Sequence, residues 1–123
     1  MNKIAYIFPG QGTQYVGMGK DFYDNFQESR MVFEEASSIL GLDMKELIFK
    51  QNDRINMTEF TQISLATTCM ALAKVVKEQG VIANVCAGLS LGEYPALMTA
   101  GVMTFKEGIT LVQKRGFYMD NAL

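Results

Sequence analysis

Histidine and tryptophan are absent from the 123 residues, and cysteine and proline occur only twice each. Without histidine there is no imidazole to act as general base, proton shuttle or metal ligand, so any such chemistry has to come from another chain. Cys69 and Cys86 lie in apolar stretches with neither CxxC spacing nor a histidine partner. They read as buried reduced thiols of a cytosolic protein, which argues against a disulfide or a zinc site. Long runs of like charge are also missing, and 11 basic against 13 acidic residues give a net charge of −2. That balance leaves no basic footprint for nucleic acid or an anionic membrane. The apolar run Ile4 to Phe8 is shorter than the ~7 to 15 residues of a signal-peptide core. Lys74 and Lys77 interrupt the longest candidate for the ~18 apolar residues of a membrane span. A cytoplasmic location is the expectation.

What is present is ordinary globular composition, 49% hydrophobic and 20% charged, enough for at most one domain. There are no repeats and no linker, so residues 1–123 read as one unit without an internal boundary. Lys3 to Phe8 is a short β-branched and aromatic run ended by Pro9-Gly10, which predicts a buried strand entering a glycine-rich loop. A helix is predicted over Glu28 to Leu40, with Val32, Ala36, Ile39 and Leu40 on one face and Gly41 as its stop. Asp43 and Glu46 form a capping pair for a short helix through Phe49. Thr58 to Gln79 is apolar on so much of its circumference that a helix there should be buried. Gly80 ends it, and Val81 to Ala87, interrupted by Asn84, predicts a second strand. A helix to about Thr99 follows, its start delayed or distorted because Pro95 has no N–H to donate beyond the first turn. Thr104 and Glu107 cap the last helix, with Phe105, Ile109, Val112, Gly116 and Met119 as its buried stripe. Strands separated by long helical segments argue for an α/β layer with a parallel sheet.

Gly88-Leu89-Ser90-Leu91-Gly92 is a GxSxG at the junction of a predicted strand and helix. In a nucleophile elbow the serine occupies a strained turn, and the flanking glycines let strand and helix approach closely enough to expose its hydroxyl. Free backbone N–H groups at the helix start favour an oxyanion beside it. Gly10-Gln11-Gly12-Thr13-Gln14 follows the first strand at the position where open α/β sheets place ligand-binding backbone. Its spacing fits neither a dinucleotide fingerprint nor a P-loop, and a solvated connection is its other reading. Helical spacing sets Arg115 beside the buried stripe, where it either turns toward a cleft or snorkels to the surface.

Taken in order, Ile7-Phe8-Pro9-Gly10-Gln11-Gly12-Thr13-Gln14, Thr61-Gln62, Ala87-Gly88-Leu89-Ser90-Leu91-Gly92-Glu93-Tyr94 and Gln113-Lys114-Arg115-Gly116 closely resemble the malonyl-CoA:acyl carrier protein transacylases. The resemblance runs from Lys3 to Met119 and covers the N-terminal portion of that family. It implies an α/β fold that is part of a hydrolase-like parallel-sheet core with a nucleophile elbow, incomplete without the C-terminal remainder and a ferredoxin-like subdomain. Ser90 matches the nucleophile that carries the acyl group from CoA to the phosphopantetheine thiol of acyl carrier protein. Gln11 and Leu91 match the backbone donors of the oxyanion hole, and Arg115 matches the arginine that binds the free carboxylate of malonate. The implied partners are malonyl-CoA, acyl carrier protein and the remaining C-terminal segment, with no metal or redox cofactor.

Leu89 stands where the family commonly has histidine, which bears on substrate positioning. The family's catalytic histidine lies in the portion outside these residues, and an unassisted serine hydroxyl is a poor nucleophile at neutral pH. The chain alone is therefore expected to be inactive. The last helix has no glycine or proline stop after Met119, so Leu123 reads as lying inside a domain whose sheet a further segment completes. Two other functions stay open on the residues: a serine esterase of hydrolase type, and a non-catalytic module that binds CoA or carrier protein.

Overall fold

The computed structural model describes residues 2–122. Leu123, and with it the reading of that residue as internal to a domain, lies outside the described residues. Strand β1 (Ala5–Phe8) is followed by helices α1 (Lys20–Asn25), α2 (Gln27–Leu40), α3 (Met44–Phe49) and α4 (Thr58–Glu78). Then come strand β2 (Val85–Gly88) and helices α5 (Glu93–Thr99) and α6 (Phe105–Asn121). The strands pair in parallel, Ala5 opposite Val85 and Phe8 opposite Gly88, with the four intervening helices as the crossover. Parallel strands ordinarily need cover on both faces, yet Ile7 is 72% and Val85 58% exposed. The sheet is short and the molecule mostly helical.

The core lies among the helices. Every residue from Thr61 to Thr68 is buried, which sets α4 in the middle of α2, α3 and α6 as its apolar circumference demands. Phe33, Met44, Ile48, Ile63, Leu91, Ile109 and Val112 fill the space around it with almost no exposure. Each such side chain contributes about 1.5–3 kcal/mol by leaving water. Close approach of helices comes from small residues: a Cβ on Gly116 would stand 3.0 Å from the carbonyl oxygen of Glu59. The ends are set by local chemistry. Gly41 closes α2 at φ 68°, and the Asp43 carboxylate caps α3 by accepting from the N–H groups of Lys45 and Glu46. Thr104 and Glu107 form the reciprocal box at α6, a feature of about 1 kcal/mol.

Four expectations need correction. The second strand begins at Val85, because Asn84 accepts the Ile4 N–H with its side chain and breaks the ladder, while the Val81 carbonyl is taken by the Tyr6 hydroxyl. The first strand, expected to be buried, leaves Ala5 and Ile7 exposed, and helix α1, over residues for which the sequence predicts no element, begins just after Gly19 turns at φ 78° against Thr68 and Phe33. The last-helix stripe is Gly108, Ile109, Val112 and Gly116; Phe105 is half-buried and Met119 is 49% exposed. Cys69 and Cys86 are free thiols as expected but only partly buried. Among the described residues, no helix is long and apolar enough to cross a membrane.

Candidate active site

The two glycine motifs meet where both strands end. Ser90 takes φ 51°, a left-handed conformation rare for a residue with a side chain, and opens a short 3-10 turn over Ser90–Gly92 that leads into α5. A Cβ on Gly88 would fall 2.0 Å from the Gly92 carbonyl oxygen, and one on Gly92 would fall 2.2 Å from that of Phe8. Neither position admits a side chain, so turn and strand pack backbone to backbone. This is the strained turn that the GxSxG spacing predicts. Helix α5 starts at Glu93 and holds Pro95 within its first turn, where a missing N–H costs nothing; the delayed start expected from that proline is what the structure shows.

The loop after β1 closes on the same turn. Gly10 is buried, and a Cβ there would stand 2.8 Å from the Leu89 carbonyl oxygen, so the loop backbone runs against the residue preceding Ser90. Side chains pin it: Gln11 Nε2 donates to Thr58 Oγ1 at 3.0 Å, Thr13 Oγ1 to the Gly10 carbonyl at 2.9 Å, and Gln14 Nε2 to Asn56 Oδ1 at 3.1 Å. Gln11 and Leu91 thus lie on the two backbone segments that border Ser90. The Leu91 side chain is fully buried in the helical core and anchors the turn from beneath, while Ser90 and Leu89 face outward.

Arg115 turns inward. Its Nη2 donates to Ser90 Oγ at 3.0 Å and its Nη1 to Gln62 Oε1 at 2.8 Å, and the guanidinium lies 5.6 Å from the centre of the Tyr94 ring. The snorkelling alternative does not describe this side chain. Gln62 and Tyr94 belong to the stretches that carry the family resemblance, but residue patterns gave them no role. For Gln62 the available signal was an amide on a helix otherwise predicted to be buried.

A strained turn that presents a serine hydroxyl at the C-terminal edge of a parallel sheet has the geometry of the nucleophile-elbow class, and here a guanidinium is bonded to that hydroxyl as well. The acyl transferase domain model matches residues 5–122, and the chain belongs to that acyltransferase family. It is 40% identical over 124 residues to malonyl CoA-acyl carrier protein transacylase of Bacillus subtilis (strain 168), which covers all of this chain and 39% of that protein. The enzyme of the same name from Escherichia coli (strain K12) is 41% identical over 125 residues, with 100% and 40% covered. The crystal structure of the Clostridium perfringens transacylase superposes with a TM-score of 0.95 at 48% identity, covering 99% of this chain and 39% of that one. The chain therefore spans about 40% of the length of the relatives it matches.

Proposed function

We propose that the chain is the nucleophile-bearing part of a malonyl-CoA:acyl carrier protein transacylase. The observation that carries the reading is the pairing of Ser90 with Arg115 at 3.0 Å. An esterase elbow gives no reason for a cation at that distance, whereas a planar guanidinium matches a carboxylate on the acyl group by two parallel hydrogen bonds. A neutral acyl group offers the cation no carboxylate to bind, which favours a dicarboxylic acyl chain.

In the proposed cycle Ser90 Oγ attacks the thioester carbonyl of malonyl-CoA and passes its proton to a general base. Backbone N–H groups of Gln11 and Leu91 hold the developing oxyanion. The C–S bond breaks, CoA leaves as the thiol after taking up the proton, and malonyl remains as an ester on Ser90. The phosphopantetheine thiol of acyl carrier protein then reverses these steps, and Ser90 is regenerated. No histidine occurs in the 123 residues, so the base belongs to the remaining segment of the acyltransferase core. The open faces of the β1–β2 sheet suit cover by that same segment. The reading needs no metal or redox group and places the enzyme in the cytoplasm. Leu89, 75% exposed beside Ser90, offers an apolar surface where the family commonly has histidine and would alter how the acyl donor is seated.

The test is acid quenching of the whole enzyme with malonyl-CoA, followed by mass analysis of the Ser90 peptide. One malonyl group on Ser90, lost from that peptide on addition of carrier protein and absent in Ser90→Ala, is the expected result. A folded enzyme that transfers malonyl without modification of this peptide would refute the reading.

A further inference from the structure

We infer that Gln62 is the positioning residue of the Arg115 guanidinium, and that the preference for a carboxylated acyl group depends on it as well as on the cation. The inference rests on the carboxylate role proposed for Arg115.

Gln62 lies in the first turns of α4 and has no exposed surface. Its neighbour Thr61, equally buried, satisfies its hydroxyl on the carbonyl groups of Ile55 and Met57. The Gln62 amide instead reaches side chains of α6. Arginine can only donate and a thioether sulfur can only accept, so the two ends of the amide are not interchangeable. The carbonyl Oε1 has to face Arg115 and the NH2 group has to face Met119, and they do so at 2.8 Å and 3.0 Å from Nη1 and Sδ. Partners of opposite hydrogen-bonding character thus set the amide's orientation.

Consequences for the cation follow from its long stem. An arginine side chain has many rotamers, and a free one at a cleft points wherever solvent takes it. Here one terminal nitrogen is tied to a buried acceptor and the plane lies near the Tyr94 ring, so the other terminal nitrogen is delivered to Ser90 Oγ. An acyl carboxylate attached at Ser90 can take over that contact while the bond to Gln62 persists. The acceptor is neutral, so it orients the guanidinium without cancelling its charge. A glutamate at the same place would do both.

The test uses the whole enzyme and compares malonyl-CoA with acetyl-CoA as donors in wild type, Gln62→Met, Gln62→Glu and Arg115→Ala, with circular dichroism on each. Gln62→Met keeps length and removes the acceptor. It should raise KM for malonyl-CoA and lower malonyl kcat/KM by about tenfold to a hundredfold, the range for losing a hydrogen bond to a charged group, while acetyl transfer falls much less. Gln62→Glu keeps the acceptor but pairs the cation with a resident carboxylate, and should lose malonyl preference at least as strongly. It also supplies the comparison if the methionine variant does not fold. Equal losses for both donors, or unchanged preference in a folded Gln62 variant while Arg115→Ala loses it, overturn the inference alone. Unchanged preference in Arg115→Ala overturns the carboxylate reading and this inference with it.

Discussion

In the proposed enzyme, truncating Arg115 should abolish the preference for a malonyl donor without silencing Ser90. The guanidinium stands 3.0 Å from Ser90 Oγ and 2.8 Å from Gln62 Oε1, so a carboxylate hanging from Ser90 falls within its reach. Each hydrogen bond to a charged partner is worth about 1.5–3 kcal/mol, and a bidentate pair therefore about 3–6 kcal/mol. At roughly 1.4 kcal/mol per tenfold, Arg115→Ala should cut malonyl kcat/KM by a hundredfold or more. Acetyl-CoA has no carboxylate to lose. For that donor the substitution removes no contact to the acyl group and frees the Ser90 hydroxyl from the Arg115 donor bond, so acetyl transfer should hold or rise. Arg115→Lys, a point charge without the planar fork, should recover part of the malonyl rate. The assay is acylation of carrier protein from either donor by folded wild-type and mutant enzyme. Equal loss for both donors would assign Arg115 to structure or to CoA, and no loss for either would remove it from the site.

The elbow and the core yield two more expectations. Gly92→Ala drives a Cβ to 2.2 Å from the Phe8 carbonyl oxygen and 2.8 Å from that of Pro9; it should cost about 3 kcal/mol or more in urea melts, and a loss under about 1 kcal/mol would contradict the backbone packing described above. Burial pushes the Cys69 thiol from its ordinary 9.0 up to about 11. Folding then favours the protonated thiol, so its contribution is complete below pH 9 and is lost as pH rises toward about 11. Stability should fall by on the order of 2–3 kcal/mol across that window and fall less in Cys69→Ala; identical pH profiles for the two would refute the assignment.

Features set by adjacent residues were legible in the chain. The Gly88-to-Gly92 turn, the late start of α5 at Pro95, the Thr104–Glu107 box and the Gly41 stop each follow from chemistry within a few residues, and each occurs. Features that depend on a distant partner were not. Where β2 begins is decided by Asn84 bonding Ile4, 80 residues away. Helix α1 has only six residues and no buried side chain, so no periodicity marks it; it forms where Gly19 lets the chain pass close to Thr68 of α4. The facing of Arg115 was open for the same reason. Helical spacing placed it at the margin of a stripe, but the Gln62 acceptor that turns it inward lies 53 residues earlier in the chain.

That long-range dependence explains how Ser90 and Arg115 can be aligned by parts so far apart. Leu91, immediately after Ser90, is buried in the same apolar cluster as Ile109 and Val112 of α6. Arg115 lies three residues after Val112, nearly one turn along the same helix. Seating Val112 against the cluster that holds Leu91 thus sets the register of α6 relative to the elbow, and Gly116 lets α6 come close enough to α4 for Arg115 to meet Gln62. A slip of α6 by one turn would move the guanidinium about 5.4 Å, far outside contacts of 2.8 Å and 3.0 Å. In the proposed enzyme, selection of the acyl group is therefore tied to helix packing: core substitutions at Val112 or Ile109 that leave the chain folded should loosen malonyl preference before they abolish acyl transfer from Ser90.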